Sequence, residues 1–425
     1  MNRRVVITGL GVVSPNGVGV PDFLHSIRNG VSGIRFMPEY EQLNFNCQVT
    51  GLPEFDWGHI KSYIPEVALN GLKAISIGYG IKAALDAWTD AGNTTDSDQP
   101  RWETGCIFGS SVGDTSVVKN VITRVDAKES KKLGSRVVEQ IMNSGVTAYI
   151  SGRLGLANRV TTNSAACATG TQAILMGYEQ IKHGLAKRML VGSTEHVDSY
   201  IFGTFDSMRV LARKFNHLPE QASRPMSASA GGFVPGSGSG ALILEDLEFA
   251  LQRNATIYAE IAGGSANSGG QRSGGTMTAP GPGGILRCIT EALESSGISP
   301  RSIDLICGHL TATVADILEI QNWGLALDRK GDDFPLINSL KSMIGHCLTA
   351  AGSIEAVAVV LQIMHQFVHP NLNLQDPHPE ILKLIGTDKM PTTLVKKEIN
   401  AIAKANFGFG DINTCLIFSK YNHNG

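Results

Sequence analysis

The residues best equipped for chemistry are one cysteine, two histidines and a lysine. Cys167 lies in Asn163-Ser164-Ala165-Ala166-Cys167-Ala168-Thr169-Gly170-Thr171-Gln172, where a β-branched run gives way to an Ala-rich helical stretch. The start of a helix is its positive end. A thiol there is expected to have a lowered pKa, and the free backbone N–H groups to stabilise an oxyanion. The small neighbours also leave room for a bulky acyl group. His309 follows an apolar run in Gly308-His309-Leu310-Thr311-Ala312-Thr313, with Asp316 and Glu319 downstream. Lys341 and His346 share Ser339-Leu340-Lys341-Ser342-Met343-Ile344-Gly345-His346. All four sit at predicted strand ends, where open α/β folds place their sites. Each also has a plainer reading: an inert buried thiol, or a core or surface side chain.

Three other motifs compete. Gly109-Ser110-Ser111-Val112-Gly113 fits the nucleophile elbow Gly-x-Ser-x-Gly between a strand and the helix Thr115 to Val125. A hydrolase would use Ser111 with Asp316 and His346 in that chain order. Gly9-Leu10-Gly11-Val12-Val13-Ser14 partly matches the dinucleotide fingerprint. It has Ser at the third glycine and no acidic ribose ligand downstream, so a tight turn after a first strand is the better account. His365 and His369, with His378 beyond, have metal-ligand spacing but no completing carboxylate or thiol, and read as a solvated helix terminus.

Positioning these residues falls to alternating β-branched and Ala/Leu-rich segments, the signature of an α/β fold. Strands are expected at Arg4 to Thr8, Gly105 to Phe108, Arg188 to Gly192, Gly240 to Glu245, Ile257 to Ile261 and Ile303 to Cys307. Helices are expected at Ile75 to Ala91, Gly170 to His183, Gly284 to Ser296 and Ala350 to Gln366. The chain echoes itself. Thr162-Asn163-Ser164 leads through Gly170 into a small-residue helix, and Ile337-Asn338-Ser339 leads through Gly345 into Ala350-Ala351-Gly352-Ser353-Ile354-Glu355. A duplicated architecture follows, with halves 1–250 and 251–425 sharing a buried interface in which two helix N-termini approach each other. The loop Gly263 to Gly284, with nine glycines, reads as an irregular excursion lining a site.

Composition narrows the classes further. With 425 residues, 42% hydrophobic and 17% charged, the chain can bury a large core and is not disordered. A net charge of −2 gives no global case for nucleic acid or membrane binding. No uninterrupted apolar run looks long enough to span a bilayer. Seven scattered cysteines without a Cys-x-x-Cys pair argue against a disulfide framework or zinc ribbon. The start is strand-like rather than a signal peptide, so a soluble cytoplasmic protein is expected.

Taken together, the segments resemble the elongating β-ketoacyl-acyl-carrier-protein synthases, condensing enzymes of the thiolase fold, over essentially the whole chain. The resemblance rests on Arg4 to Pro15, Ala166-Cys167-Ala168-Thr169-Gly170, Ser223-Arg224-Pro225, Lys341 to His346, Ala350-Ala351-Gly352 and Asn406-Phe407-Gly408-Phe409-Gly410. It implies a five-layered αβαβα fold of two pseudo-equivalent halves and a dimer. It implies that Cys167 carries an acyl group as a thioester, and that His309 and His346 stabilise the enolate formed when malonyl carrier protein is decarboxylated. The N–H groups of Cys167 and Phe409 would form the oxyanion hole, with Phe409 gating the acyl pocket. Lys341 would pair with Glu319 and orient the histidines, with Asp316 in support. Thr311 and Thr313 would hold the phosphopantetheine arm, and Thr278, Val112 and Phe205 would line the pocket. No cofactor is implied beyond the carrier's phosphopantetheine.

The departures from that family are also specific. Leu310 stands where a glycine is usual, and Gly410-Asp411-Ile412-Asn413 replaces Gly-Gly-Thr-Asn. Met226, Ser227, Ala230, Gly231 and Ser237 replace the usual acidic and basic residues of their segment. An active synthase with an altered pocket or partner is expected, of fatty-acid or specialised polyene or polyketide type. The alternatives are a non-catalytic, chain-length-factor-like partner of an active subunit and the Ser111 hydrolase. The partner is an acyl carrier protein, and the dimer is either homodimeric or formed with a chain-length-factor-like subunit. Docking cations for the acidic carrier are sought at Arg209, Arg213 and Lys214 or at Lys128, Lys131 and Lys132.

Overall fold

The computed structural model describes residues 3–96, 98–270, 277–278 and 281–422. Its eleven-stranded main sheet is built from two five-strand sets and the two-residue strand Gly17–Val18, which pairs with the end of the first strand. The first comprises β1 (Val5–Ser14), β2 (Thr104–Gly109), β3 (Val160–Thr161), β4 (Arg188–Glu195) and β5 (Gly238–Asp246). The second comprises β6 (Ala259–Ser268), β7 (Leu305–Cys307), β8 (Leu336–Asn338), β9 (Ala401–Gly408) and β10 (Ile412–Ser419). Spatial order runs β3-β2-β4-β5-β1 and then β6-β10-β9-β7-β8. Ranked along the chain, each set therefore has the order third, second, fourth, fifth, first. Strand directions repeat too: the second strand is parallel to the third and fourth, and the remaining pairings are antiparallel. The sets meet where Val5, Val6 and Ile7 pair with Ile261, Glu260 and Ala259.

Helices complete five layers. Over the first set lie α1 (Ile75–Asp90) and α3 (Gly145–Leu154), with α2 (Thr115–Asp126) between them in the chain. Between the sets lie α4 (Thr169–Lys182) and α7 (Ala351–His365). Over the second lie α5 (Pro282–Ser296) and α6 (Ala315–Leu327). The two middle helices cross at glycines. A Cβ on Gly170 would sit 2.5 Å from the Ser353 nitrogen, and one on Gly352 would overlap the Thr171 nitrogen. Only glycine lets two backbones approach so closely, and the crossing brings both helix N-termini to the centre of the molecule.

The expected helices lie within two residues of the observed ones; the strands differ more. β1 continues through Gly9 and Gly11 to Ser14 instead of turning after Thr8. A Cβ at either glycine would overlap the α1 carbonyls of Ala87 and Ala83, so the glycines permit close strand–helix packing rather than a turn. The glycine-rich loop likewise starts as strand, since β6 runs to Ser268. Residues 271–276 and 279–280 lie outside the described residues. Leu348–His365 is long and apolar enough to cross a membrane, which the sequence reading missed, and 89% of it is buried in the core between the sheets. His369 is fully buried with Nδ1 3.0 Å from the Pro370 carbonyl, not solvated as expected.

Candidate active site

Cys167 follows β3 in a turn held by Thr169, whose Oγ1 accepts from the Ala165 N–H (2.8 Å) and donates to the Ala166 carbonyl (2.6 Å). Ala166 sits at φ +47°, a strained conformation for a residue with a side chain. Six further non-glycine residues with positive φ surround the same region: Arg209, Met226, Leu310, Ala312, Leu348 and Asp411. Seven of the thirteen non-glycine residues with positive φ therefore lie around this region, the kind of local strain that functional sites carry.

His346 is fixed through its backbone, donating to the Val234 carbonyl (2.7 Å) and accepting from the Gly236 N–H (2.8 Å). Its Nδ1 accepts from the Leu348 N–H (3.2 Å), so in the neutral ring the proton lies on Nε2, which is 3.1 Å from Cys167 Sγ. His309 follows β7, and its Nδ1 is 3.1 Å from Asn406 Nδ2 on β9. Asn406 Oδ1 accepts from Lys404 and Thr171, so its amide nitrogen faces the ring and His309 too carries its proton on Nε2. The two rings meet edge to face, 5.3 Å between centroids. One ligand atom each of Cys167, His309 and His346 lies within 4.8 Å of the others. Two N–H donors and a sulfur thus address one small volume.

Beneath them lies a charge network that the sequence reading missed. Glu355 on α7 accepts from Lys341 and from Lys404 Nζ (2.9 Å), and from Asn406 Nδ2 (2.9 Å). All four groups are buried. Burial opposes the charge on Glu355, but the two lysines outweigh it and hold its carboxyl at about 2. Burial likewise opposes the charge on Lys341, and Glu355 outweighs it. The expected pairing of Lys341 with Glu319 is therefore not formed. Glu319 instead accepts from the N–H groups of His309 (2.6 Å) and Leu310 (2.7 Å) and from the Trp323 indole (3.2 Å). Asp316 accepts from Met226, Thr311 and Ala312 N–H groups. These two acids shape the His309 loop. Two signals could have revealed the network: a lone carboxylate in the otherwise neutral Ala351–His365 helix, and a lysine inside the strand Ala401–Gly408.

The electrostatics correct one more expectation. Burial pushes the Cys167 thiol up to about 11, although Lys341 and the N–H groups of Phe409 and Cys167 itself favour the thiolate. Burial, then Lys341, lowers His346 to about 3 and His309 well below its ordinary value. The resting site is a neutral thiol beside two neutral imidazoles, because the cost of burying an extra charge exceeds what the helix end returns.

Above the sulfur opens a predominantly apolar cavity of about 720 Å³, lined by Val112, Phe205, Thr278, Thr311, Thr313 and Phe409 among others. Thr311 and Thr313 hydroxyls lie 3.0 Å apart at its mouth beside Val314, which is 91% exposed. Ser111 also lines it, but its hydroxyl donates to Glu195 (2.9 Å), and Asp316 and His346 are engaged elsewhere, so the hydrolase triad is not assembled. Glu195 also accepts from Thr349 (2.6 Å), and burial raises it to about 7. Among the described residues, Cys167, His309 and His346 form the one group of three or more His, Cys, Asp or Glu at ligating distance; His365, His369 and His378 do not form another.

The family profiles for the β-ketoacyl synthase N-terminal and C-terminal domains match residues 2–250 and 258–375. The chain belongs to the β-ketoacyl synthase family. It is 33% identical to 3-oxoacyl-[acyl-carrier-protein] synthase 1 of Escherichia coli, covering 98% of this chain and 99% of that one. Among solved structures it is similar to the ketosynthase of a type II PKS acyl-carrier protein complex (TM-score 0.85, 29% identity, 99% and 100% of the two chains). It is also similar to the ishigamide ketosynthase/chain length factor (TM-score 0.87, 27% identity, 99% and 100%). The thiolase-like fold read from the sequence is the fold observed.

Proposed function

We propose that this chain is a 3-oxoacyl-[acyl-carrier-protein] synthase, an acyltransferase that extends carrier-bound acyl chains by decarboxylative condensation. The observation that carries the reading is the convergence of Cys167 Sγ with two Nε2–H donors at the base of an apolar cavity. First, Cys167 attacks the thioester carbonyl of an acyl carrier protein. The C–S bond to the carrier breaks, the new one to Cys167 forms, and the thiol proton passes to the departing phosphopantetheine sulfur. The N–H groups of Cys167 and Phe409 hold the intervening oxyanion. Then malonyl carrier protein loses CO₂. His309 and His346 donate to the enolate oxygen, needing no protonation change themselves, which suits imidazoles held neutral by burial and Lys341. The enolate carbon attacks the Cys167 thioester, releasing a 3-oxoacyl carrier protein and a thiolate that recovers its proton from water. Nothing in this balance calls for a metal or redox cofactor.

Thr311 and Thr313 at the mouth hold the phosphopantetheine arm, and Phe205, Val112 and Thr278 contact the acyl chain. Asp316 and Glu319 keep the His309 loop in shape. The carrier docks on Arg209, Arg213 and Lys214, which are exposed; Arg209 lines a second hollow that shares Thr313 and Val314 with the mouth. A cytoplasmic dimer, joined through β3, completes the reading.

Intact-mass analysis of the protein after incubation with a panel of acyl carrier proteins tests it. An acyl adduct that disappears in Cys167→Ala is expected, and the preferred acyl group defines the chain class. No adduct with any donor, and none with cerulenin, would sink the reading and favour a non-catalytic partner of an active ketosynthase.

A further inference from the structure

Asp411 stands where a glycine is usual in the resemblance, in the turn just after the Phe409 loop. It is 1% exposed and sits at φ +59°, a conformation that costs a residue with a side chain. Its carboxylate has a built seat. Oδ2 accepts from the N–H of Gly281, the residue capping α5 (3.0 Å), and Oδ1 accepts from Asn413 Nδ2 (3.3 Å). A Cβ on Gly281 would lie 2.8 Å from Oδ2, and one on Gly269 would overlap it, so both glycines leave the space the carboxylate fills. A negative charge at the N-terminus of a fifteen-residue helix is also favourably placed. The backbone joins in: the Asp411 carbonyl accepts from the Gly269 N–H (2.9 Å), and the Gly410 N–H donates to the Met277 carbonyl (2.8 Å). On the other side of the same turn, Gly408 abuts the nucleophile turn, where an added Cβ would lie 2.8 Å from the Ala165 carbonyl and 3.2 Å from the Cys167 nitrogen.

We propose that Asp411 is a positioning residue for acyl transfer: its carboxylate, seated on the start of α5, holds the Gly408–Gly410 turn so that the Phe409 N–H stays aimed at Cys167. The inference rests on the synthase reading for its kinetic consequence. The geometric claim stands apart from it, because the position of an N–H beside a thiol is readable without any acyl donor. A carboxylate that merely fastened a surface loop would change stability and leave the sulfur's surroundings untouched.

The test uses Asp411→Gly, Asp411→Asn, Gly281→Ala and the double variant Asp411→Gly/Gly281→Ala. With saturating acyl carrier protein, Asp411→Gly and Gly281→Ala should each slow acylation of Cys167 about tenfold, with the donor KM within about twofold of wild type. Asp411→Asn, which keeps an acceptor for the Gly281 N–H, should recover most of the rate. The double variant should be no slower than the slower single one, because both changes break the same contact. Independently of any donor, the pH profile of iodoacetamide alkylation of Cys167 should move to higher pH in Asp411→Gly as an N–H leaves the sulfur. Wild-type acylation and alkylation profiles in both single variants would overturn the proposal, as would effects that multiply in the double. If the wild-type protein accepts no acyl group, the synthase reading fails and the alkylation profile alone decides the role of Asp411.

Discussion

The two halves of this chain repeat one strand order, yet they differ at the same structural position. The turn after the third strand of the first half, β3, carries Cys167, the proposed nucleophile. The turn after its counterpart β8 leads into Lys341 and His346, and the helix beyond carries Glu355. His309, Lys404 and Asn406 also belong to the second half. One half therefore supplies the thiol, and the other supplies both imidazoles and the buried Lys341–Glu355–Lys404 network beside it. The halves face each other through glycines at the α4–α7 crossing, so neither can build the site without the other.

That division can be broken by testing each side separately. Cys167→Ala should abolish acyl-enzyme formation and lower condensation by at least about 10³-fold, the scale set by loss of a covalent nucleophile. His309→Ala should leave acylation within a few-fold and reduce condensation by about 10²–10³, since in the proposed mechanism its N–H serves the enolate and not the acyl transfer. Mass spectrometry of the acyl-enzyme and a coupled CO₂-release assay separate the steps. Equal loss of both steps in His309→Ala would mean that the labour is not divided in this way.

The charge network of the second half predicts a stability effect. Removing Glu355 by substitution with Gln strands two buried lysines, so unfolding free energy should fall by about 3–5 kcal/mol, as is usual when one partner of a buried pair is lost. The pH dependence has a definite sign. A carboxyl held at about 2 in the folded state contributes stability that is fully present above the unfolded-state value near 4.5. That contribution is lost as pH falls toward 2. Urea melts from pH 6 to 2 should show this decline in wild type and its absence in Glu355→Gln. Parallel curves would assign the low-pH loss to other carboxylates.

The thiol of the first half should report the same network more gently. With its thiol raised to about 11, Cys167 should be alkylated by iodoacetamide about tenfold faster per pH unit from 7 to 9, without a plateau. A plateau below pH 8 would instead indicate a thiolate–imidazolium pair at rest. Lys341→Met should slow the reaction throughout that range, because a cation that favours the thiolate has gone.

Much of this was legible in the sequence, and the reasons for what was not are local. Cys167, His309, Lys341 and His346 announce themselves because each follows a β-branched run, and strand ends are where α/β folds expose side chains. The pairing of Lys341 could not be read this way. Glu319 and Glu355 both lie on helices, and what decides between them is that backbone N–H groups already occupy both oxygens of Glu319, a tertiary fact. The direction of the Cys167 shift was misread for a related reason: the helix end is visible in the sequence, but the depth of burial that outweighs it is not. Gly9 and Gly11 suggested a turn because glycine in isolation signals flexibility, whereas here it marks close packing against α1.

The halves differ last in how they finish their sheets. β8 ends its set with Ile337 and Asn338 buried, and Asn371 closes that edge by donating to the Ile337 carbonyl (3.1 Å) and accepting from the Ser339 N–H (2.9 Å). β3 has no such cover among the described residues, and Val160 is 40% exposed. Ile122 and Val125 on α2, Val138 on the short helix Val137–Ile141 and Met142 just past its end are each at least 50% exposed on the chain leading to β3. An open strand edge invites pairing with another chain, and in a dimer it would extend the sheet across the interface. Val160→Lys should then weaken self-association about tenfold or more, seen by light scattering as a shift toward the monomer mass of 45.3 kDa, with melting of the monomer little changed. Ile337→Lys, at the corresponding edge of the other half, should instead prevent folding because its site is closed. An unchanged mass for Val160→Lys would move the interface away from β3 and leave the open edge as a difference between the halves with no role in assembly.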